Sequence, residues 1–206
     1  MTYPTQIQTI IFDLGGVLVD WNPRYMYRQI FHNEVEMERF LAEVTTGHWN
    51  EQQDAGRTLA EATELLVSEH PHYEHEIRAF YGRWTEMLNG AIEETVAILD
   101  EIRKKGSQRV YALTNWSNET FPYALDNFPF MHWFEGILVS GDEKLIKPDP
   151  AIYELMLSRY NIERSTALFI DDNLNNVHGS WGVGLPAVRF ESAGQLRAFL
   201  EERGVL

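Results

Sequence analysis

The sequence predicts an α/β fold in which helices cover both faces of a parallel sheet, giving three layers, with an additional helical segment inserted after the first strand. Two observations lead to this expectation. From residue 89 onward, short apolar runs alternate with amphipathic helical stretches, which is the order found in open parallel sheets. Before that, one apolar run precedes about 65 residues whose apolar positions follow helical spacing.

The first strand is predicted at residues 7 to 13, IQTIIFD, a short run rich in β-branched residues that ends in Asp13. Such a run is typical of a strand buried on both faces. The helical segment follows at residues 22 to 88, and Pro23 suits the first turn of its first helix. No strand is expected within it, and a new helix is expected to start near LNGAI, residues 88 to 92.

The remaining helices and strands alternate to the end of the chain. EETVAILDEIRKKG is an amphipathic helix stopped by Gly106, and PDPAIYELMLSRY is a helix with Asp149 as its cap and Pro150 at its first position. A weak helix is expected at ETFPYALDNF, and a last helix, capped by Ser192, at SAGQLRAFLEERG. Strands are predicted at QRVYALTN, GILVS, TALFIDDN and PAVRF.

The composition is that of an ordinary globular protein. The 206 residues are 44% hydrophobic and 23% charged, which suits one core or one domain with a smaller inserted module. No apolar run approaches the ~20 residues needed to span a bilayer, and the N-terminus lacks the features of a signal peptide. We therefore expect a cytoplasmic protein with no membrane partner, present as a monomer or a homodimer.

Charge and cysteine content exclude several functions. Because the chain has no cysteine, it has no disulfide, thiol nucleophile or thiolate metal site. A formal net charge of −14 repels the phosphate backbone, so nucleic acid is not an expected partner. A small anionic substrate is compatible with this charge if a divalent cation supplies local positive charge.

Polar side chains stand where four of the predicted strands end. The carboxyl ends of parallel strands line the ligand crevice of an open α/β sheet, so these side chains are expected to meet in one place. They are Asp13, Thr114, Asn115, Ser140, Asp171 and Asp172.

Four motifs resemble those of the haloacid dehalogenase-like hydrolases, a superfamily dominated by phosphatases that use an aspartate nucleophile. In chain order they are FDLGGVL, LTNWS, KPDPAIY and FIDDNLNN, and their order and spacing make the set specific. The resemblance covers nearly the whole chain. It implies a three-layer Rossmann-like parallel sheet core formed by residues 1 to 20 and 89 to 206, with a small α-helical cap domain at residues 21 to 88.

The resemblance also implies catalytic roles for these residues. Asp13 is the expected nucleophile, because a carboxylate can attack phosphorus and divide the hydrolysis into two displacements. Lys147 matches the lysine that pairs with the nucleophile and neutralises phosphoryl oxygens. Thr114 matches the hydroxyl that binds phosphate, and Asn115 adds amide donors beside it.

A magnesium cofactor is implied as well. Its expected ligands are the carboxylates of Asp13 and Asp171 and the backbone carbonyl of Gly15, since Mg²⁺ prefers hard oxygen ligands. Asp172 is expected to support the site by holding Lys147 or a water molecule at the metal. Asn176, with its neighbour Asn175, stands where relatives often carry an acid that helps to hold the metal.

One position departs from the family's pattern. Phosphatases of this family carry a second aspartate two residues after the nucleophile, where it serves as general acid and base. This chain has Gly15 at that position. The leaving group would then need another proton source, such as water or Asp172. Gly15 and Gly16 also allow the backbone to pass close to a ligand and to adopt positive φ.

Substrate choice is expected to depend on the helical segment, which covers the crevice. Arg24 and Trp49 are predicted to contact the substrate, and TTGHWNEQQDAG, residues 45 to 56, is the expected specificity loop. Further candidates are Trp21, Asn22 and His48.

Three functions are compatible with these residues. The first is a Mg²⁺-dependent phosphatase that hydrolyses a small phosphorylated metabolite, such as a sugar phosphate, through an aspartyl-phosphate intermediate. The second is a haloacid dehalogenase using the same aspartate, although Asp171 would repel a carboxylate substrate. The third is a catalytically weak protein that binds a phosphorylated ligand, suggested by Gly15.

Overall fold

The computed structural model describes residues 3–206, and its centre is a five-stranded parallel sheet. The strands of this sheet are β1 Thr9–Phe12, β4 Arg109–Thr114, β5 Gly136–Val139, β6 Ala167–Asp171 and β7 Ala187–Arg189, while β2 Val19–Trp21 and β3 Leu88–Ala91 form a separate antiparallel pair. The spatial order in the sheet is β5, β4, β1, β6, β7. β1 therefore lies between β4 and β6, and its carboxyl end lies in the middle of the row formed by the carboxyl ends of the five strands.

Helices fill the connections between strands. They are α1 Arg24–Tyr27, α2 Glu34–Glu43, α3 Gly47–Asp54, α4 Leu59–Glu69, α5 Glu74–Gly82, α6 Glu93–Lys105, α7 Phe121–Asn127, α8 Ser140–Glu143, α9 Pro150–Arg159, α10 Leu174–Gly182 and α11 Ala193–Glu202. Short 3₁₀ turns lie at Pro71–Tyr73, Trp84–Met87, Pro129–Trp133 and Arg164–Thr166. In the described part of the chain, every helix is too short or too polar to cross a bilayer.

Alternating side chains of the strands enter two apolar cores, one on each face of the sheet. In β1, Ile10 and Phe12 join the core that includes residues of α6 and α11, whereas Ile11 joins the core that includes residues of α9 and α10. Because successive side chains of a strand point to opposite faces, the all-apolar sequence of β1 is explained by burial on both sides. The predicted three-layer α/β architecture is confirmed.

Helix ends agree with the capping residues read from the sequence. Gly106 ends α6 in the left-handed conformation, with φ of 66°. The Asp149 side chain accepts a hydrogen bond from the Ala151 N–H at the start of α9, and Ser192 caps α11. These contacts satisfy backbone groups that helix ends leave unpaired.

The prediction that residues 22 to 88 contain no strand, and that a helix starts near Leu88, is wrong at the end of that segment. Leu88–Ala91 is a strand that pairs antiparallel with Val19–Trp21, and the next helix begins at Glu93. The two paired stretches lead into and out of the helical segment. Because they lie outside its helices, their backbone N–H and C=O groups need other partners, and they pair with each other. Gly90, with φ of 110°, is incompatible with a regular helix at this point.

A short polar contact joins helix α3 to the edge of the sheet. The Ser140 hydroxyl, directly after β5, donates to the backbone carbonyl of Asp54 at 2.6 Å and accepts from the Trp116 N–H at 2.9 Å. Gly141 beside it leaves no room for a side chain, because a Cβ atom there would lie 2.5 Å from the Asn118 backbone nitrogen. The end of α3 is therefore fixed close to the carboxyl ends of β4 and β5.

We expect Gly141→Ala to destabilise the protein by roughly 1 to 3 kcal/mol, because the added methyl group meets backbone atoms that cannot rotate away. Chemical denaturation followed by circular dichroism measures the change. Gly194→Ala is the matched control, since a Cβ atom at Gly194 has no neighbour within 4 Å. Equal stability of the two variants would contradict the tight packing inferred at Gly141.

Candidate active site

Four segments of the chain meet at the carboxyl edge of the sheet. Asp13 follows β1, Thr114 ends β4, Asp171 ends β6, and Lys147 lies in the loop before α9. All four residues are buried, and Asp13 is the most accessible of them at 7% exposed. The strand ends therefore bring together polar groups from distant parts of the sequence, as the alternating pattern predicts.

The Lys147 ammonium group is the centre of the cluster. It lies 2.8 Å from Asp13 Oδ1 and 2.8 Å from Asp171 Oδ2, and it donates to the Leu113 carbonyl at 3.0 Å. An ammonium group has three N–H donors, so each of them has a partner. Asp172 is not among these partners, and the other role expected for it, holding a water molecule at the metal, stays a prediction.

Asn115 positions the backbone of Lys147. Its side-chain Oδ1 accepts from the Lys147 N–H at 2.8 Å, and its Nδ2 donates to the Lys147 carbonyl at 3.0 Å. The side-chain amide is therefore occupied within the protein, although it was expected to donate to phosphate. Its observed partners fix the loop that carries Lys147.

Asp171 is held by amide groups from α10 and the turn before it. The Asn173 N–H donates to Oδ1 at 2.8 Å, and the Asn176 side-chain amide lies 3.1 Å from both carboxylate oxygens. Asn176, at the position where the family resemblance places an acid in many relatives, thus orients Asp171 by hydrogen bonding.

The cluster contains more negative than positive charge. The cluster holds three carboxylates, those of Asp13, Asp171 and Asp172, and a single ammonium group, that of Lys147. Burial favours the neutral form of an acid. Burial, together with Asp171 and Asp172, raises the pKa of Asp13 to about 8 even though Lys147 opposes the shift. Burial alone would lower the pKa of Lys147, but the attraction of Asp13 and Asp171 raises it.

The excess charge and the geometry suit a divalent cation. Asp13, Asp171 and Asp172 each present a carboxylate oxygen, and the three oxygens lie within 4.8 Å of one another. Gly16, with φ of 73°, allows Asp172 to approach closely, because a Cβ atom at Gly16 would lie 2.6 Å from Asp172 Oδ2. Hard carboxylate oxygens at this spacing fit Mg²⁺, which also keeps waters and binds phosphate.

At this edge of the sheet, Thr114 has an unpaired hydroxyl group and Gly15 borders free space. The Thr114 hydroxyl oxygen is buried and has no hydrogen-bond partner in the described structure, which is costly unless a ligand satisfies it. Gly15 has no atom within 4 Å of the place where a Cβ would stand. An acceptor group beside Thr114 would remove the penalty of the unpaired hydroxyl.

A cavity lies between this edge and the helical segment. The sheet edge and the helical segment both contribute to its lining, which is formed by Gly15, Trp21, Asn50, Asp54, Tyr81, Trp84, Asn115, Trp116, Ser117 and Thr120. Of the residues predicted from the helical segment, Trp21 lies on this cavity. Residues 45 to 56 contribute as well, through Asn50 and Asp54 of α3 rather than through a loop.

Arg24 and Trp49, which were predicted to contact substrate, lie elsewhere. Arg24 forms an ion pair with Glu38, with Nε 2.5 Å from Oε1. Trp49 is buried against Phe80 and Tyr81 at ring-centroid distances of 5.0 and 5.4 Å. Tyr81, Trp84 and Trp116 line the cavity but were not predicted to do so, and Asn50 and Asp54 were predicted only as part of residues 45 to 56. Asn50 and Asp54 stand four residues apart on one helix face, a spacing that was available in the sequence but did not indicate which way the face points.

Comparison with known proteins shows the family to which the chain belongs. A family model of the haloacid dehalogenase-like hydrolases matches residues 7–179. The chain belongs to this family. The hydrolase is 27% identical to the sesquiterpene phosphatase astK of Aspergillus oryzae, with 88% of each chain covered. It is 26% identical to the N-acylneuraminate-9-phosphatase of Rattus norvegicus, with 71% of this chain and 56% of that protein covered.

A solved structure shares the fold of the hydrolase. It is a HAD family enzyme from Bacteroides thetaiotaomicron in complex with magnesium and inorganic phosphate, with a TM-score of 0.67 and 22% sequence identity. The match covers 91% of this chain and 96% of that chain. The predicted membership of the superfamily and the predicted fold are therefore confirmed.

We expect Asp13→Asn to stabilise the metal-free protein, and to do so more at pH 8 than at pH 5. The unfolded carboxyl titrates near its ordinary value of 3.8 and the folded one at about 8. Because the folded pKa is raised, the native state of the wild type loses stability as pH rises between these values. The asparagine does not ionise, so its advantage should grow by on the order of 1 to 3 kcal/mol across this range.

Urea unfolding with a metal chelator at the two pH values measures this effect. Asp126→Asn, at an exposed position of α7, is the matched control for the removal of one carboxylate. An equal effect of Asp13→Asn at both pH values would show that burial does not raise the pKa of Asp13.

Proposed function

We propose that this hydrolase is a Mg²⁺-dependent phosphatase that acts on a small phosphorylated metabolite through an aspartyl-phosphate intermediate. The observation that carries the proposal is the cluster in which the Lys147 ammonium group lies 2.8 Å from both Asp13 and Asp171. Two further observations support it: the unpaired buried hydroxyl of Thr114 and the three converging carboxylates. Together these groups supply a nucleophile, phosphate-binding donors and metal ligands.

In this mechanism, an oxygen of Asp13 attacks phosphorus and forms an acyl phosphate, which water then hydrolyses. Lys147 holds Asp13 in place and offsets charge on the phosphoryl oxygens, and Thr114 donates to one of them. Mg²⁺, held by Asp13, Asp171 and Asp172 with the Gly15 carbonyl as a further candidate ligand, would stabilise negative charge on the phosphoryl group.

Phosphate transfer is favoured over carbon–halogen cleavage by the charge of the site. A second buried carboxylate, Asp171, would repel the carboxylate of a haloacid but can bind a cation that attracts phosphate. The phosphatases among the curated relatives and the magnesium and phosphate in the similar bacterial structure point in the same direction.

We further propose that residues 21 to 88 act as a cap over a core formed by residues 1 to 20 and 89 to 206. The cavity between them is the expected place for the leaving group. Among the described residues that line it there is no lysine or arginine, so the substrate is expected to carry negative charge on its phosphate and not on the rest of the molecule. Aromatic walls such as Trp21 and Trp116, with polar groups between them, suit a neutral sugar or another alcohol.

We expect phosphate release from neutral phosphomonoesters to require Mg²⁺ and to be lost in Asp13→Asn by a factor of about 10³ or more. A panel of sugar and alcohol phosphates, assayed for inorganic phosphate with Mg²⁺ or a chelator, measures both effects. Asp126→Asn should match the wild type. Release of halide from 2-haloacids without release of phosphate would instead support the dehalogenase, and phosphorylated-ligand binding without turnover would support the binding protein.

Thr114→Val should lower activity without lowering stability. Removing a buried hydroxyl without a partner leaves stability unchanged or raises it by about 1 kcal/mol. The same change removes a donor to phosphate and should lower kcat/KM by roughly 10- to 100-fold. Thr114→Ser, which keeps the hydroxyl, is the control for activity. A Thr114→Val enzyme with normal kcat/KM would exclude the proposed phosphate contact.

A further inference from the structure

The proposed phosphatase reaction needs a proton donor for the leaving group, and the strand-end cluster of Asp13, Lys147 and Asp171 does not supply one. When the phosphorus–oxygen bond breaks, the leaving oxygen needs a proton unless it departs as a stable anion. Gly15 has no side chain to supply one, and Asp172 points into the carboxylate group that suits a metal. A carboxylate that binds a cation is ionised and has no proton to give.

Asp54, at the end of α3, lies on the wall of the same cavity as Gly15. Its position is fixed by the contact in which the Ser140 hydroxyl donates to the Asp54 carbonyl at 2.6 Å. Gly56, two residues later, packs against the same region, because a Cβ atom there would lie 3.1 Å from the Gly141 carbonyl oxygen. These contacts hold Asp54 of the helical segment in a fixed position at the carboxyl edge of the sheet.

A chain of hydrogen bonds also orients the Asp54 side chain. The Asn50 amide donates to Asp54 Oδ2 at 3.3 Å, and the Tyr81 hydroxyl donates to Asn50 Oδ1 at 3.0 Å. The Gln53 amide donates to the Tyr81 oxygen at 2.8 Å, and Gln53 is itself held by Arg57. This chain links α3 to α5 and ends at the carboxyl group of Asp54.

The surroundings of Asp54 favour a carboxyl that is protonated near neutral pH. Burial raises the pKa of Asp54 to about 7, and Glu51 on the same helix adds to the shift. The Ser117 backbone N–H and the Lys147 ammonium group oppose it from the sheet edge. Tyr81 faces the group from α5, and burial keeps the pKa of this phenol above its ordinary value.

We propose that Asp54 is the general acid and base of the phosphatase, in place of the side chain absent at Gly15. This inference rests on the proposed function. As Asp13 forms its bond to phosphorus, the bond from phosphorus to the leaving oxygen breaks, and the Asp54 carboxyl gives that oxygen its proton. In the second step the Asp54 carboxylate takes a proton from water as the water oxygen attacks phosphorus and the bond to Asp13 breaks. The products are an alcohol and inorganic phosphate, and Asp54 is protonated again.

The other lining residues are poorer proton donors. Among the described residues of the cavity wall, Asp54 and Tyr81 are the titratable side chains. The Tyr81 hydroxyl proton is already donated to Asn50, and a phenol with a raised pKa gives up its proton less readily. Asp54 is thus the acid on this wall suited to transfer a proton near neutral pH.

The test compares two substrates of similar shape that differ in their need for a proton. p-Nitrophenyl phosphate releases a stable phenolate, whereas benzyl phosphate releases an alcohol that must be protonated. We expect Asp54→Asn to lower kcat for benzyl phosphate by about 100-fold or more, and for p-nitrophenyl phosphate by less than about tenfold. The wild-type rate on benzyl phosphate should fall as pH rises through about 7, and this alkaline decline should be absent in Asp54→Asn.

The controls separate this inference from the proposed function. Asp126→Asn should behave as the wild type on both substrates, and residual p-nitrophenyl phosphate activity shows that Asp54→Asn is folded. Equal losses on the two substrates, or no loss on either, would overturn the role of Asp54, as would a wild type that accepts only p-nitrophenyl phosphate. A wild type that releases phosphate from neither ester in Mg²⁺ would instead contradict the phosphatase itself.

Discussion

The attraction between one buried ammonium group and two buried carboxylates organises this protein's sheet edge. Lys147 reaches Asp13 after β1 and Asp171 after β6, so it joins the ends of neighbouring strands that are far apart in the chain. Isolated charges at this depth would cost several kcal/mol each. Mutual pairing offsets much of that cost, and the remaining negative charge makes the site receptive to a cation.

The groups around this cluster act mainly by fixing it. Asn115 holds the backbone of Lys147, and Asn176 holds the carboxylate of Asp171. Both are amides, which donate and accept hydrogen bonds without adding charge. A site that already has more acids than bases is therefore held in position without further electrostatic repulsion.

The sequence predicted those parts of the protein that depend on local pattern. Apolar runs that end in Asp13 and Asp171 predicted parallel strands. The polar ends of such strands meet because the carboxyl ends of parallel strands lie at the same edge of the sheet. The pairing of Val19–Trp21 with Leu88–Ala91 was not predictable in the same way, since strands of three and four residues carry too little periodicity.

The residues that line the cavity could not be predicted from the sequence either. Trp49 and Asn50 are adjacent on α3, yet Trp49 packs among the aromatic residues of the helical segment while Asn50 lies on the cavity. Their difference arises from how α3 packs against α5 and the sheet edge. Helical spacing identifies a buried face, but the partner of that face is set by tertiary contacts.

The bond from Ser140 to the carbonyl of Asp54 has a consequence for how such an enzyme diversifies. This bond uses the Asp54 backbone, so it fastens the last turn of α3 whatever side chains stand there. If the same turn carries the proton donor, side chains on the opposite wall of the cavity, such as Trp116 and Thr120, can change the substrate pocket while the acid stays in place. Substrate selectivity and proton transfer would then depend on different walls of one cavity.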